Sequence, residues 1–169
     1  MTENLLKKAA IVPGSFDPIT YGHIALVKEA LARYERVYVA VMINPAKQYM
    51  FTMEERVAIV KAALCDLPRV EVISSEGMLW KLAEDLGADS IVKGYRNEQD
   101  LAYEREMATF NLAHNPNAPT ELLPSPKELS LLSSTVVRDR MLHGDTLEGY
   151  LPEAAIAVIE KIKSMRPLF

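Results

Sequence analysis

The sequence predicts a single-domain α/β protein built on an open, doubly wound, parallel five-stranded sheet, and three observations predict it. Short runs of branched apolar residues alternate with helical stripes every ~20 to 25 residues, which implies parallel pairing with helices on both faces. Proline, glycine and asparagine punctuate the ends of these runs. The 169 residues, 49% apolar and 25% charged, suit one globular domain, taken as residues 1–169, with a core large enough to need no staple.

Each element has its own signal. "AAIV", Ala9 to Val12, reads as a strand ended by Pro13 and Gly14. From Gly22, the residues Ile24, Val27, Leu31 and Tyr34 recur at helical spacing, with Thr20 as the cap. "RVYVAVM", Arg36 to Met42, reads as a strand buried on both faces and closed by Asn44 and Pro45. Thr52 and Glu55 have capping-box spacing ahead of a stripe through Val57, Val60 and Leu64, which Pro68 terminates. "VEVI" is a third strand, "MLWKLAEDLG" a helix stopped at Gly87, and "SIVKG" a fourth strand. A helix over Gln99 to His114 precedes "TELLP", the fifth strand. "SSTVVRDRMLHG" starts on hydroxyl caps and stops at Gly144, and Pro152 opens a last helix toward Met165.

Composition excludes several classes of function. A formal charge of −4 argues against a nucleic-acid partner. Cys65 is the only cysteine, so no intramolecular disulfide forms, and no C-x-x-C or H-E-x-x-H spacing offers a protein-held metal site. The N-terminal stretch lacks the apolar core of a leader peptide and no run reaches the ~18 to 20 apolar residues of a membrane span, so the expectation is a cytoplasmic protein.

Ligands of open parallel sheets bind beyond the carboxyl ends of the strands. Four segments therefore matter: "PGSFDPITYGH", "NPAKQYMF", "KGYRNEQD" and "SPKELSLLSST". Neither a G-x-x-x-x-G-K-[ST] loop nor a G-x-G-x-x-G turn is present. The first segment instead supplies Gly14, a small hydroxyl at Ser15, and His23 at the third position of a helix, where free N–H groups and the dipole favour an anion. The others add Lys47, then Lys93 and Arg96, then Ser133, Ser134, Thr135 and Arg138. Singly, each has an ordinary alternative: a first-turn histidine, a solvated lysine, a serine cap, and, for Asp17, an Asp-Pro turn. Together, on one sheet edge of an acidic protein, they fit a small phosphate-rich ligand.

"GSFDPITYGH" and "LSSTVVR" resemble the signatures of the nucleotidyltransferase superfamily, a Thr/His-x-Gly-His motif met at Thr20 to His23 and an Ile-Ser-Ser-Thr-x-x-Arg motif met at Leu132 to Arg138 with leucine first. With "NPAKQYMFTMEERV", "KGYRNEQDLAYEREMA" and "GDTLEGYLPE", the chain resembles the bacterial phosphopantetheine adenylyltransferases from about Ala10 to the last helix. The resemblance implies a Rossmann-like nucleotidyltransferase fold and transfer of AMP from ATP to 4′-phosphopantetheine, giving dephospho-coenzyme A and pyrophosphate. It also implies a homohexamer, magnesium held mainly through ATP phosphates, and coenzyme A as a feedback ligand. By the same resemblance, His23 stabilises the transition state with Lys47 and Arg96. Ser15, Phe16, His23, Gly94, Tyr95, Arg96, Glu104 and the run Leu129, Ser130, Leu131, Leu132, Ser133, Ser134 and Thr135 bind ATP, and Ser15, Lys47, Leu79 and Lys93 bind the acceptor. Lys93 and Leu79 stand where the family often has arginine and methionine. Competing expectations are an acceptor such as nicotinamide mononucleotide or a polyol phosphate, and a non-catalytic nucleotide sensor.

Overall fold

The computed structural model describes residues 6–169. Residues 1–5, part of the stretch read as carrying no leader, lie outside the described residues. Five strands, β1 (Lys7–Gly14), β2 (Tyr34–Met42), β3 (Val70–Ser75), β4 (Ser90–Tyr95) and β5 (Thr120–Pro124), form one all-parallel sheet in the order β3-β2-β1-β4-β5. The helices are α1 (Tyr21–Leu31), α2 (Met53–Ala63), α3 (Leu79–Leu86), α4 (Glu98–His114), α5 (Ser134–Leu142) and α6 (Glu153–Met165). A single 3₁₀ turn, Lys127–Leu129, follows β5.

Alternation along the strands assigns the two faces. Ala10, Val12, Val37, Val39 and Val41 point into a cluster completed by α1, α2, α5 and α6, with Val27, Ile59, Val60, Val137 and Ile159 fully enclosed. Ile11, Ala40 and Ile91 point the other way, against Ala83 of α3, Ala88 and Ala118. The second face is built of smaller side chains, so its core is thinner. Since α1 and α2 lie on one face and α3 on the other, the direction of winding reverses between β1 and β4, and a crevice opens at their carboxyl ends.

Two boundaries differ from the sequence expectation. Tyr34 does not continue α1, which ends at Leu31; it opens β2, pairs in register with Lys7, and sends its hydroxyl to Glu121 Oε1 at 2.5 Å. A tyrosine at helical spacing is thus a strand residue, because a ladder partner and a half-buried carboxylate outweigh periodicity. Pro152 is the N-cap of α6 and not its first helical residue. Gly87 and Gly144 stop their elements with φ of 61° and 69°, as expected of residues that adopt the left-handed region without a Cβ clash.

Candidate functional site

A cleft of about 580 Å³ occupies the carboxyl end of the sheet, floored by Pro13 and Gly14 of β1 and Lys93 and Gly94 of β4. Its position follows from strand order, since β1 and β4 are the neighbours whose crossovers run in opposite directions. All four segments singled out in the sequence reach it. Ser15, Lys47, Leu79, Arg96 and the turn from Ser133 to Thr135 are on its wall.

His23 is fixed by an unusual capping box. The Thr20 side chain caps α1, and the residue that returns the bond to the Thr20 backbone is a histidine: Thr20 N donates to His23 Nδ1 at 3.0 Å. Because Nδ1 accepts, the ring proton sits on Nε2, which has no partner among the described residues. Desolvation, and then the positive charge of Arg96, pull the imidazole pKa from 6.5 down to about 4. At neutral pH it is therefore an uncharged donor. The Phe16 ring braces it edge-on, with centroids 5.1 Å apart.

Loop packing brings the hydroxyl turn alongside. Residues 129–132 lie over the start of α1: a Cβ built on Gly22 would stand 3.6 Å from the Leu129 carbonyl oxygen and 3.9 Å from that of Leu132, at ordinary contact distance. Ser133 caps α5 by accepting from Val136 N at 3.2 Å, and Ser134 Oγ donates to Pro18 O at 2.7 Å. Arg138 donates to Asp17 O at 2.8 Å, which ties α5 to the first loop. The first turns of α1 and α5 thus both line the cleft, and the positive dipole ends of the two helices there suit an anion.

Charge is distributed unevenly around the rim. Lys93 Nζ lies 2.8 Å from Glu104 Oε2 in an ion pair that lacks well-aligned hydrogen-bond geometry. Arg96 is held loosely, with Nε 3.4 Å from Asp100 Oδ2. Lys47 is exposed and makes no ion pair among the described residues. Together they form a cationic rim on an acidic protein.

Three residues expected at the ATP site stand off the cleft wall. Phe16 is only 2% exposed and, at φ 48°, turns its ring under Gly14 into the core. Tyr95 ends β4 opposite Pro124, and Leu131 is 76% exposed to solvent. Asp17 proves to be a clamp: almost fully buried, it accepts from Met50 N at 2.9 Å and Phe51 N at 3.0 Å and so pins the loop that carries Lys47.

Sequence reasoning missed Arg56 altogether. Its side chain is 1% exposed, Nη1 donates to Ser15 O at 2.7 Å and Met42 O at 3.0 Å, and the guanidinium stacks 4.0 Å from the Tyr49 ring centroid. The available signal was helical: Arg56 lies one turn before Val60, on the face that α2 buries. Leu26, Met42, Ile43, Tyr103 and Ser125 also line the cleft; Tyr103 and Ser125 lie in segments singled out in the sequence but were not picked individually, and Leu26, Met42 and Ile43 carry no motif that would mark them.

A sequence profile of the cytidylyltransferase-like family matches residues 11–140, a span that runs from within β1 through β5 and most of α5. A phosphopantetheine adenylyltransferase of Caldanaerobacter subterraneus is 38% identical over 157 residues, covering 92% of this chain and 98% of the relative. The chain belongs to the phosphopantetheine adenylyltransferase family. A second such relative, from Limosilactobacillus reuteri, is 39% identical over 86% of this chain and 84% of its own length. A third, from Staphylococcus carnosus, is 32% identical over 88% and 92%. The two segments that resemble the superfamily signatures, Thr20 to His23 and Leu132 to Arg138, lie within the matched span, at the starts of two helices that border the cleft.

Proposed function

We propose that this protein transfers AMP from ATP to 4′-phosphopantetheine, releasing pyrophosphate and dephospho-coenzyme A. The observation that carries the reading is the convergence of the His23 Nε2–H, Lys47, Arg96 and the 133–135 turn on one cleft in a member of this family. An acceptor phosphomonoester, with its second pKa near ~6, is largely dianionic at neutral pH, so the nucleophile needs no general base. One of its oxygens bonds to Pα of ATP as the bond from Pα to the bridging oxygen of the β-phosphate breaks, and the electron pair leaves with pyrophosphate. No covalent intermediate on the protein is needed.

What the chain supplies is alignment and charge stabilisation. The neutral His23 donates to an equatorial oxygen of the α-phosphoryl group. Lys47 bridges the phosphates, Arg96 and the N-termini of α1 and α5 hold the departing pyrophosphate, and Lys93 and Ser15 receive the acceptor phosphate. Leu79, Met42 and Ile43 give the cleft an apolar side suited to the pantetheine arm. Magnesium is a triphosphate-borne ion in this reading: among the described residues no three His, Cys, Asp or Glu side chains stand together, and Glu104 is engaged by Lys93. Its chemistry when bound is charge neutralisation on phosphate oxygens.

The wider biology follows the family. No described helix is long and apolar enough to cross a membrane. We place the enzyme in the cytoplasm, as a homohexamer that coenzyme A inhibits by competing for the same cleft. An exposed stripe on α4, formed by Tyr103, Met107 and Phe110 at one-turn spacing, supports self-association.

The test is a turnover assay with magnesium-ATP and each candidate acceptor, following pyrophosphate. Release with 4′-phosphopantetheine is expected. Release only with nicotinamide mononucleotide or a polyol phosphate overturns the acceptor, and ATP binding with no release on any acceptor leaves a nucleotide sensor.

A further inference from the structure

Beside the cleft lies a smaller cavity of about 490 Å³, lined by Tyr49, Arg56, Thr52 and Arg166 among others. Tyr49 does not reach the main cleft, yet its hydroxyl is 3.2 Å from Ser15 Oγ, which does. The same hydroxyl accepts from Asn44 N at 2.6 Å. A phenol has one proton to give. With Asn44 N–H occupying one lone pair of the Tyr49 oxygen, the phenolic proton is available to Ser15 Oγ, and in that arrangement the Ser15 proton can point into the cleft.

We infer that Tyr49 is a positioning residue that orients the Ser15 hydroxyl as a donor toward the substrate phosphate. The relay runs from Asn44 N–H to Tyr49 O, from Tyr49 O–H to Ser15 Oγ, and from Ser15 O–H to a phosphoryl oxygen. Each bond polarises the next, so the terminal donor is stronger than an isolated serine. Arg56 holds the relay rigid: its guanidinium lies on the Tyr49 ring, and its Nη1 grips the Ser15 carbonyl one side and the Met42 carbonyl on the other. Tyr49 thereby couples the loop after β1 to the loop after β2, which also carries Lys47.

The inference rests on the proposed adenylyl transfer and on Ser15 touching substrate, and a double-mutant cycle separates the two. Ser15→Ala tests that reading: kcat/KM for the acceptor should fall, and no change would remove both the Ser15 role and the relay. Tyr49→Phe keeps the ring under Arg56 and deletes only the hydroxyl. It should lower kcat/KM about 3- to 10-fold, the scale of one neutral hydrogen bond. In the Ser15→Ala background the same change should cost less than about twofold, because the group it orients is already gone. A Tyr49→Phe enzyme with unchanged kcat/KM overturns the inference. So does an undiminished loss in the Ser15→Ala background, which would make Tyr49 a support of the Lys47 loop acting independently of Ser15. A thermal midpoint within a few degrees of wild type shows that the cycle is read on folded protein.

Discussion

At the amino ends of β1, β2 and β5, Arg33, Lys7 and the Tyr34 hydroxyl all converge on Glu121, at 2.9, 3.7 and 2.5 Å, while Arg69 donates to the carbonyls of Leu31, Tyr34 and Glu35. At the carboxyl ends the same kinds of side chain stand with capacity left over. The His23 Nε2–H and Lys47 have no partner among the described residues, and Arg96 has only a long contact to Asp100. One rim spends its donors on the fold, and the other holds them in reserve around a cavity. A basic residue therefore says little about function until its partners are counted, and an unpaired donor becomes informative when it faces an enclosed space together with others.

The comparison breaks if function responds to the amino rim, or if stability alone responds to the carboxyl rim. The largest effect is expected for His23→Ala: turnover at least ~100-fold lower, with ATP affinity by calorimetry within a few-fold, the pattern of a donor used mainly in the transition state. Unchanged turnover would remove the assigned role. The same residue makes a stability prediction of definite sign. Its folded pKa is depressed to about 4 from 6.5, so the folded protein resists protonation that the unfolded chain accepts. Stability should therefore fall as pH drops from 6.5 toward 4. His23→Gln should lack that component of the decline in the ligand-free protein.

Arg56 comes next, at the junction of the two regimes, being buried and fully structural yet gripping a cleft loop. Arg56→Met should lower unfolding free energy in urea by about 2 kcal/mol, since two carbonyls lose a charged donor. Turnover should fall with it, through Ser15. A smaller effect is expected of Lys47→Ala, about tenfold in kcat/KM with no change in denaturation midpoint, because the residue is exposed and holds nothing in place.

The smallest effect belongs to the amino rim. Glu121→Gln should cost about 1 kcal/mol of stability and leave kcat unchanged. Burial pushes the Glu121 carboxyl upward, but the Tyr34 hydroxyl and Arg33 together hold it below the ordinary carboxylate range. Its contribution is thus present at neutral pH and lost as pH falls through that lowered value, so wild type and Glu121→Gln should converge in stability under acid conditions.

Much of this was legible in the chain itself. Alternating apolar runs, capping signals such as Thr52 with Glu55, and stop signals such as Gly87 and Gly144 act within a few residues of one another, and the observed elements follow them closely. The strand interval also placed Ser15, Lys47, Arg96 and the Ser133–Thr135 turn on a common edge, because in a parallel α/β sheet every strand ends on the same side. What stayed hidden depended on contacts between residues distant in sequence. Only packing turned the Phe16 ring inward and aimed Asp17 at Met50 and Phe51. Only the fold stacked Arg56 on Tyr49, or fixed the His23 proton on Nε2 and lowered its pKa. Local sequence governs hydrogen bonds and periodicity along the backbone, whereas side-chain direction, desolvation and proton position are set by what the completed tertiary structure brings against each group.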